Sequence, residues 1–193
     1  MSSAIRVYKQ ATNIIEAIAH LSQLIKIYFD EEHMPSKTAH CFFDIDDTLI
    51  FDVADNKGLT NFLIVQLLHL AKAYGMRVHL VTARLDQPDV LKWTKAQLKK
   101  HGIDGLYDSL SLAPEASRAS MESISRWKYE RRKEYHRGQN IVVFSVGDQW
   151  GDGTLLRSDA EILKKDKKFA ADKYPWAITS GHGCKYFLKI LAD

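Results

Sequence analysis

Four short segments read as strands along this chain, at residues 40–45, 76–81, 106–112 and 141–146, the first of them apolar and ending in acids. The last reads Ile-Val-Val-Phe-Ser-Val, as a strand buried on both faces should. A shorter run at 176–179 repeats the pattern. Helical segments separate the runs. Residues 59–74 stop at Gly75; residues 88–101 open on Pro88 and stop at Gly102; residues 123–137 form the second half of a helix closing near Gly138. A further helix is expected over 154–164, and residues 50–58 read as a loop or small hairpin. This alternation predicts an α/β fold: a three-layer, Rossmann-like parallel sheet of about five strands, joined by right-handed crossovers and covered by helices on both faces.

Upstream, Ile14, Ile15, Ile18, Leu21, Ile25 and Tyr28 recur at helical spacing. Residues 1–35 therefore read as a helical extension packed on a single domain spanning 1–193, a length that suits one hydrophobic core. The apolar stretch at 14–29 is interrupted by Glu16, His20 and Lys26, with no small-residue cleavage site after it, and no segment is long and apolar enough to cross a membrane. A cytoplasmic protein is expected, with a nuclear one left open. Cys41 reads as a reduced core residue; with Cys184 it makes neither a disulfide framework nor a zinc site. A net charge of +3 suits an anionic substrate without requiring nucleic acid.

Open parallel sheets bind ligands beyond the carboxyl ends of their strands. The residues expected there are Asp44, Asp46, Asp47 and Thr48 from FFDIDDTLI; Thr82, Ala83 and Arg84 from HLVTAR; and Gly147, Asp148 and Asp152 from SVGDQWGD. Lys128 lies on the helix before the fourth strand. Carboxylates gathered this closely are costly without a cation. Mg2+ suits carboxylates together with substrate phosphate and water. Of Asp44 and Asp46, one can be a nucleophile, giving an aspartyl phosphate, and the other a general acid and base.

The run DIDDT resembles the first motif of the haloacid dehalogenase (HAD) superfamily, Asp-x-Asp-x-Thr. LVTAR resembles its second motif, and GDQWGD its fourth, Gly-Asp-x-x-x-Asp. The stretch from Trp127 to Asp152 further resembles the acid-phosphatase branch, which includes plant vegetative storage proteins and bacterial acid phosphatases. The resemblance covers about residues 41–152. It implies Asp44 as nucleophile and metal ligand, and Asp46 as acid/base that also holds the metal through its backbone carbonyl. It implies Thr82, with Ala83 beside it, and Lys128 as the phosphoryl-binding group, and Asp148 and Asp152 as further metal ligands. Two features depart from that branch: its members are typically exported, and Gly151 stands where Ser is usual.

Several residues carry a plain structural reading beside the functional one. Lys128 sits among Arg126, Arg131, Arg132, Lys133 and Arg137, with Glu130 and Glu134 interleaved, so a solvated ion-paired face is the alternative and Lys133 an alternative phosphate ligand. Asp47 and His182 read as turn residues, and Lys164 to Lys168 as solvated surface. Trp150 either lines the pocket or packs beneath it. Arg84 either reaches a second substrate anion or pairs with an acid such as Asp86. The intervals between Thr48 and Thr82, and between Arg84 and Lys128, leave little or no room for a cap. An Mg2+-dependent phosphomonoesterase acting on a small phosphomonoester or nucleotide is the expected function. A polynucleotide 3′-phosphatase and a silent storage or binding protein on the same scaffold are the alternatives.

Overall fold

The computed structural model describes residues 18, 19, 21–23, 25, 26, 29, 38–51, 58–135, 139–153, 176, 177 and 186–189. The expected helix at 154–164, the lysines at 164–168, His182 and Cys184 lie outside them. The main sheet comprises β1 (Thr38–Phe43), β4 (Arg77–Leu85), β5 (Ser109–Ala113), β6 (Asn140–Gly147), β7 (Trp176–Ala177) and β8 (Tyr186–Lys189). Its order is β5-β4-β1-β6-β8-β7. The first five strands in that order are parallel, and β7 pairs antiparallel with β8 at the edge. A small hairpin, β2 (Ile50–Phe51) with β3 (Leu59–Thr60), stands apart. The helices are α1 (Phe62–Ala73), α2 (Pro88–Lys100) and α3 (Met121–Glu134).

The alternation of strand side chains divides the core between two faces. Cys41 and Phe43 of β1 and Val78 and Leu80 of β4 pack with Leu67 and Leu68 of α1 and Leu98 of α2. Leu21 and Ile25, from helical residues between 18 and 29, join the same cluster and are fully buried. On the other face Phe42, Val81 and Val142 meet Trp127 of α3 and Tyr135 just beyond it. The sheet is thus covered on both faces, as the alternation predicts. Burial pushes the Cys41 thiol well above its ordinary pKa, so it is an inert, reduced core residue.

Element ends differ from the sequence expectation for local reasons. Helix α1 begins three residues late, because Leu59 and Thr60 pair with the β2 strand and Asn61 caps the helix, accepting from the Ile64 N–H. Helix α3 begins at Met121 rather than continuing from upstream, because Ser120 caps it through the Ser123 N–H and a separate 3₁₀ turn, Glu115–Arg118, precedes it. Strand β5 starts at Ser109, since Gly102 and Gly105 turn the chain with positive φ. Strand β4 runs on to Leu85, so Thr82, Ala83 and Arg84 lie within the strand rather than after it, at a register shift against β5. The expected strand at 176–179 is the antiparallel edge β7, not a parallel member. Its neighbour β8 was not anticipated, because only three apolar residues stand there between Lys185 and Lys189.

A buried histidine pair crosses from β1 to β4. The facing ring nitrogens of His40 and His79 lie 2.8 Å apart, and His79 also meets Ser109 Oγ at 2.6 Å. Burial, then the charge of His40, pushes His79 down to about 4. The unfolded chain takes up that proton near pH 6.5, well before the folded one does. Stability is therefore complete above pH 6.5 and falls as the pH drops towards 4, by on the order of 3 kcal/mol. Urea denaturation at pH 7 and pH 5 measures this, and His79→Leu is expected to flatten the slope between the two.

Candidate active site

Strand β1 is central, between β4 and β6, and Asp44 follows it directly. The Asp44 N–H donates to the Val146 carbonyl at 2.9 Å, which ties the end of β1 to β6. Beyond it the chain folds back at once: the N–H groups of Leu49 and Ile50 both donate to the Ile45 carbonyl. Asp47 sits at the apex with φ 55, in the left-handed region that Asp tolerates. It is a turn residue, as its plain reading had it, and it also lines the site.

From α3, the Lys128 ammonium donates to Asp44 Oδ1 at 2.7 Å and to Asp152 Oδ1 at 2.5 Å. Lys128, Asp44 and Asp152 are all buried. Asp44, Asp148 and Asp152 each offer a carboxylate oxygen within 4.8 Å of the others. Burial pushes the Asp44 carboxyl well above the usual carboxylate range; Lys128 works against this, and Asp152 adds to it. Burial, and then Asp152, raise Asp148 as well. Burial alone would lower Lys128, but Asp152 and Asp44 outweigh it and hold the ammonium above an ordinary lysine. Lys128 thus bridges two of three clustered acids, Asp44 and Asp152, and Asp148 stands beside them without a direct bond to it. Their oxygens are hard donors at the spacing of a common ligand, and the charge they lack is positive, so the donor set fits a divalent ion such as Mg2+.

The loop after β6 is held by its own acids. The Gln149 N–H donates to Asp152 Oδ2 at 3.0 Å, the Gln149 amide to Asp148, and Ser145 Oγ to the Asp152 carbonyl. Gly147, which ends β6, and Gly151 are sterically required: a Cβ on Gly147 would overlap the Asp152 side chain, and one on Gly151 would overlap Ser125 of α3. The glycine that departs from the acid-phosphatase branch therefore has a packing reason here. Arg132, also on α3, is buried and donates to the Gly151 carbonyl at 3.2 Å.

Asp44, Asp46, Asp47, Ala83, Met121, Ile124, Ser125, Lys128, Asp148, Gln149, Gly151 and Asp152 line a cavity of about 160 Å3. Lys133 is not among them; it lies exposed, 5.6 Å over the Tyr129 ring. Between the two lysines, the geometry places Lys128 at the site. The rest of the basic helix follows its plain reading in part, with surface pairs Arg126–Glu122 and Arg131–Glu134.

Thr82 is fully buried and is not a lining residue; its hydroxyl donates to Asp46 Oδ2 at 3.1 Å. Arg84 pairs with an acid, as its plain reading had it, but the acid is Asp46 rather than Asp86, with Nη2 to Oδ1 at 2.6 Å and Nε to Oδ2 at 3.0 Å. The sequence carried no signal for this pairing, since it depends on the register of β4 against the turn after β1. Among the described residues between Asp44 and β4 stand only the β2–β3 hairpin and α1, and between β4 and α3 only α2, β5 and the 3₁₀ turn. No separate cap is built from them.

No family model matches the chain, and no curated protein does. Solved structures that share the fold include the following two. One, a chain of a Pnkp1/Rnl/Hen1 complex, has TM-score 0.50 and 21% identity over 68% of this chain. The other, from the Pnkp1/Rnl/Hen1 RNA repair complex, has TM-score 0.50 and 20% identity over 72% of this chain. This chain spans 44% and 42% of their lengths, less than half of either. No helix among the described residues is long and apolar enough to cross a membrane.

Proposed function

We propose that this protein is a Mg2+-dependent phosphomonoesterase of the HAD type, working through an aspartyl phosphate on Asp44. The observation that carries the reading is the convergence of Asp44, Asp148, Asp152 and Lys128 in one small cavity at the end of the central strand. Asp44, Asp148 and Asp152 would hold the ion, with the Asp46 backbone carbonyl added by the family resemblance. Bound there, Mg2+ offsets the negative charge that otherwise keeps an anionic nucleophile from a phosphate.

The chain's own groups account for the rest. Lys128 neutralises phosphoryl oxygens and keeps Asp44 in place. An Asp44 oxygen attacks phosphorus as the ester P–O bond breaks, and Asp46 gives its proton to the departing oxygen. Asp46 then takes a proton from water as that water attacks phosphorus and the bond to Asp44 breaks. Thr82 belongs to the phosphate-binding set by resemblance; in this arrangement its hydroxyl serves Asp46.

The test is hydrolysis of an aryl phosphate between pH 5 and 8, with Mg2+ or with EDTA. Turnover that needs the metal supports the reading, and turnover indifferent to EDTA sinks it. Binding is read separately. At a hundredfold excess over Kd, Mg2+ is expected to stabilise the fold by about 2.7 kcal/mol. Thermal unfolding checks this, and Asp148→Asn is expected to lose most of the gain.

A polynucleotide 3′-phosphatase is the second reading. The shared fold with a chain of an RNA repair complex, and a site without a cap among the described residues, favour it. Comparing a mononucleotide with a 3′-phosphorylated oligonucleotide separates the two, since strong preference for the mononucleotide would exclude the second. The silent-scaffold reading has less support, because Asp44 and Asp46 are both in place.

A further inference from the structure

We infer that Arg84 is a positioning residue for Asp46, and that helix α2 exists in part to hold Arg84 rigid for that purpose. The inference rests on Asp46 acting as general acid and base.

Arg84 is 8% exposed, and its partners divide into two sets. One edge of the guanidinium faces Asp46 through Nε and Nη2. The opposite side is fixed by α2: Nη1 donates to Thr94 Oγ1 at 3.1 Å, and Nη2 donates to Gln97 Oε1 at 2.6 Å. Thr94 and Gln97 are themselves buried. The Trp93 ring stacks on the guanidinium, with Cζ 4.4 Å from its centroid. Positions 93, 94 and 97 share one side of a helix by their spacing, so a single element supplies every one of these contacts.

A solvated arginine loses much freedom when it holds one geometry, which is why most surface pairs contribute little. Here that freedom is already removed by α2, so the planar fork can hold the carboxylate in one orientation. A carboxylate has about four lone-pair positions. Arg84 Nη2, Arg84 Nε shared between both oxygens, and the Thr82 hydroxyl place two hydrogen bonds on each Asp46 oxygen. The side chain of Asp46 remains 35% exposed, and it lines the cavity that holds Asp44. These contacts fix the orientation of the Asp46 carboxylate where it borders that cavity. Arg84 touches no reacting atom; it acts through Asp46.

The prediction is specific to proton delivery. A poor leaving group, such as an alkyl phosphate, needs its oxygen protonated as the bond breaks, whereas p-nitrophenyl phosphate does so far less. kcat/KM is measured for both substrates on wild type, Arg84→Met, Trp93→Leu and Asp46→Asn, with Mg2+ affinity from thermal unfolding. Arg84→Met is expected to lose roughly tenfold or more extra activity on the alkyl phosphate than on the aryl one, with Mg2+ affinity unchanged. Trp93→Leu removes only the partly exposed side of the clamp, so it keeps the test open should Arg84→Met not fold; a smaller loss in the same direction is expected. If Asp46→Asn shows the selective loss while the Arg84 and Trp93 variants lose activity equally on both substrates, the positioning role is overturned alone. If Asp46→Asn shows no selectivity, the acid/base reading fails and takes this inference with it.

Discussion

Asp44→Asn is expected to abolish turnover, with a loss of about 10⁴-fold or more on an aryl phosphate, because no other group stands in the nucleophile's place. The fold should survive. Burial disfavours the charged form of Asp44, so an uncharged side chain of the same shape removes a cost, and Lys128 keeps Asp152 as a partner. The apparent melting temperature without metal is therefore expected to stay level or rise while activity disappears. Steady-state kinetics beside circular dichroism separates the two effects. Acid-quenched reactions with labelled substrate should trap a phosphoenzyme in wild type and none in the variant; a phosphoenzyme in Asp44→Asn would assign the nucleophile elsewhere.

The second large effect is at Lys128. Lys128→Met removes the one buried cation among Asp44, Asp148 and Asp152 and leaves their charge uncompensated. Breaking a buried ion pair from one side costs about 3–5 kcal/mol, and losing one stabilising donor at a phosphoryl site costs about 10²–10³-fold in rate. The two losses respond differently to conditions. Mg2+ is expected to recover much of the stability and little of the rate. Lowering the pH should also shrink the stability deficit. Asp44 and Asp148, raised by burial, bind protons more readily in the folded state than in the unfolded one, so the destabilisation is greatest at high pH. Lys133→Met, on the exposed side of the same helix, is the control and should change neither quantity. Equal effects in the two variants would return Lys128 to an ordinary helix face.

The parts of this molecule legible in sequence are those set by periodicity and by order along the chain. The apolar runs of β1 and β6, the glycines after α1 and α2, and Pro88 each act over a few residues, so the alternation of strands and helices emerges with ends off by a few positions. The acids of DIDDT and GDQWGD were legible because they follow strands, and strand ends share one edge. What stayed hidden depends on register. Whether Thr82 faces phosphate or Asp46, and whether Arg84 reaches Asp86 or Asp46, turns on where β4 stops and on its shift against β5. Thr94 and Gln97 read as ordinary helix residues until the arginine they hold is placed. Strand β8 was lost for the opposite reason: its apolar run is too short to stand out, and pairing with β6 makes it a strand.

The position of β1 also orders events in time. Its neighbour on one side, β4, follows within forty residues or so, but its neighbour on the other, β6, begins about a hundred residues later. A chain leaving the ribosome thus carries Asp44 long before Lys128, Asp148 and Asp152 are made. Until β6 docks, Asp44 has neither its ammonium nor its fellow acids, and one long face of β1 has no partner. Contacts this distant in sequence form slowly, and an unpaired strand edge on a half-made domain invites association with other chains. The layout therefore leaves this cluster unassembled in the nascent protein and makes the interval before β6 emerges its period of greatest exposure to aggregation.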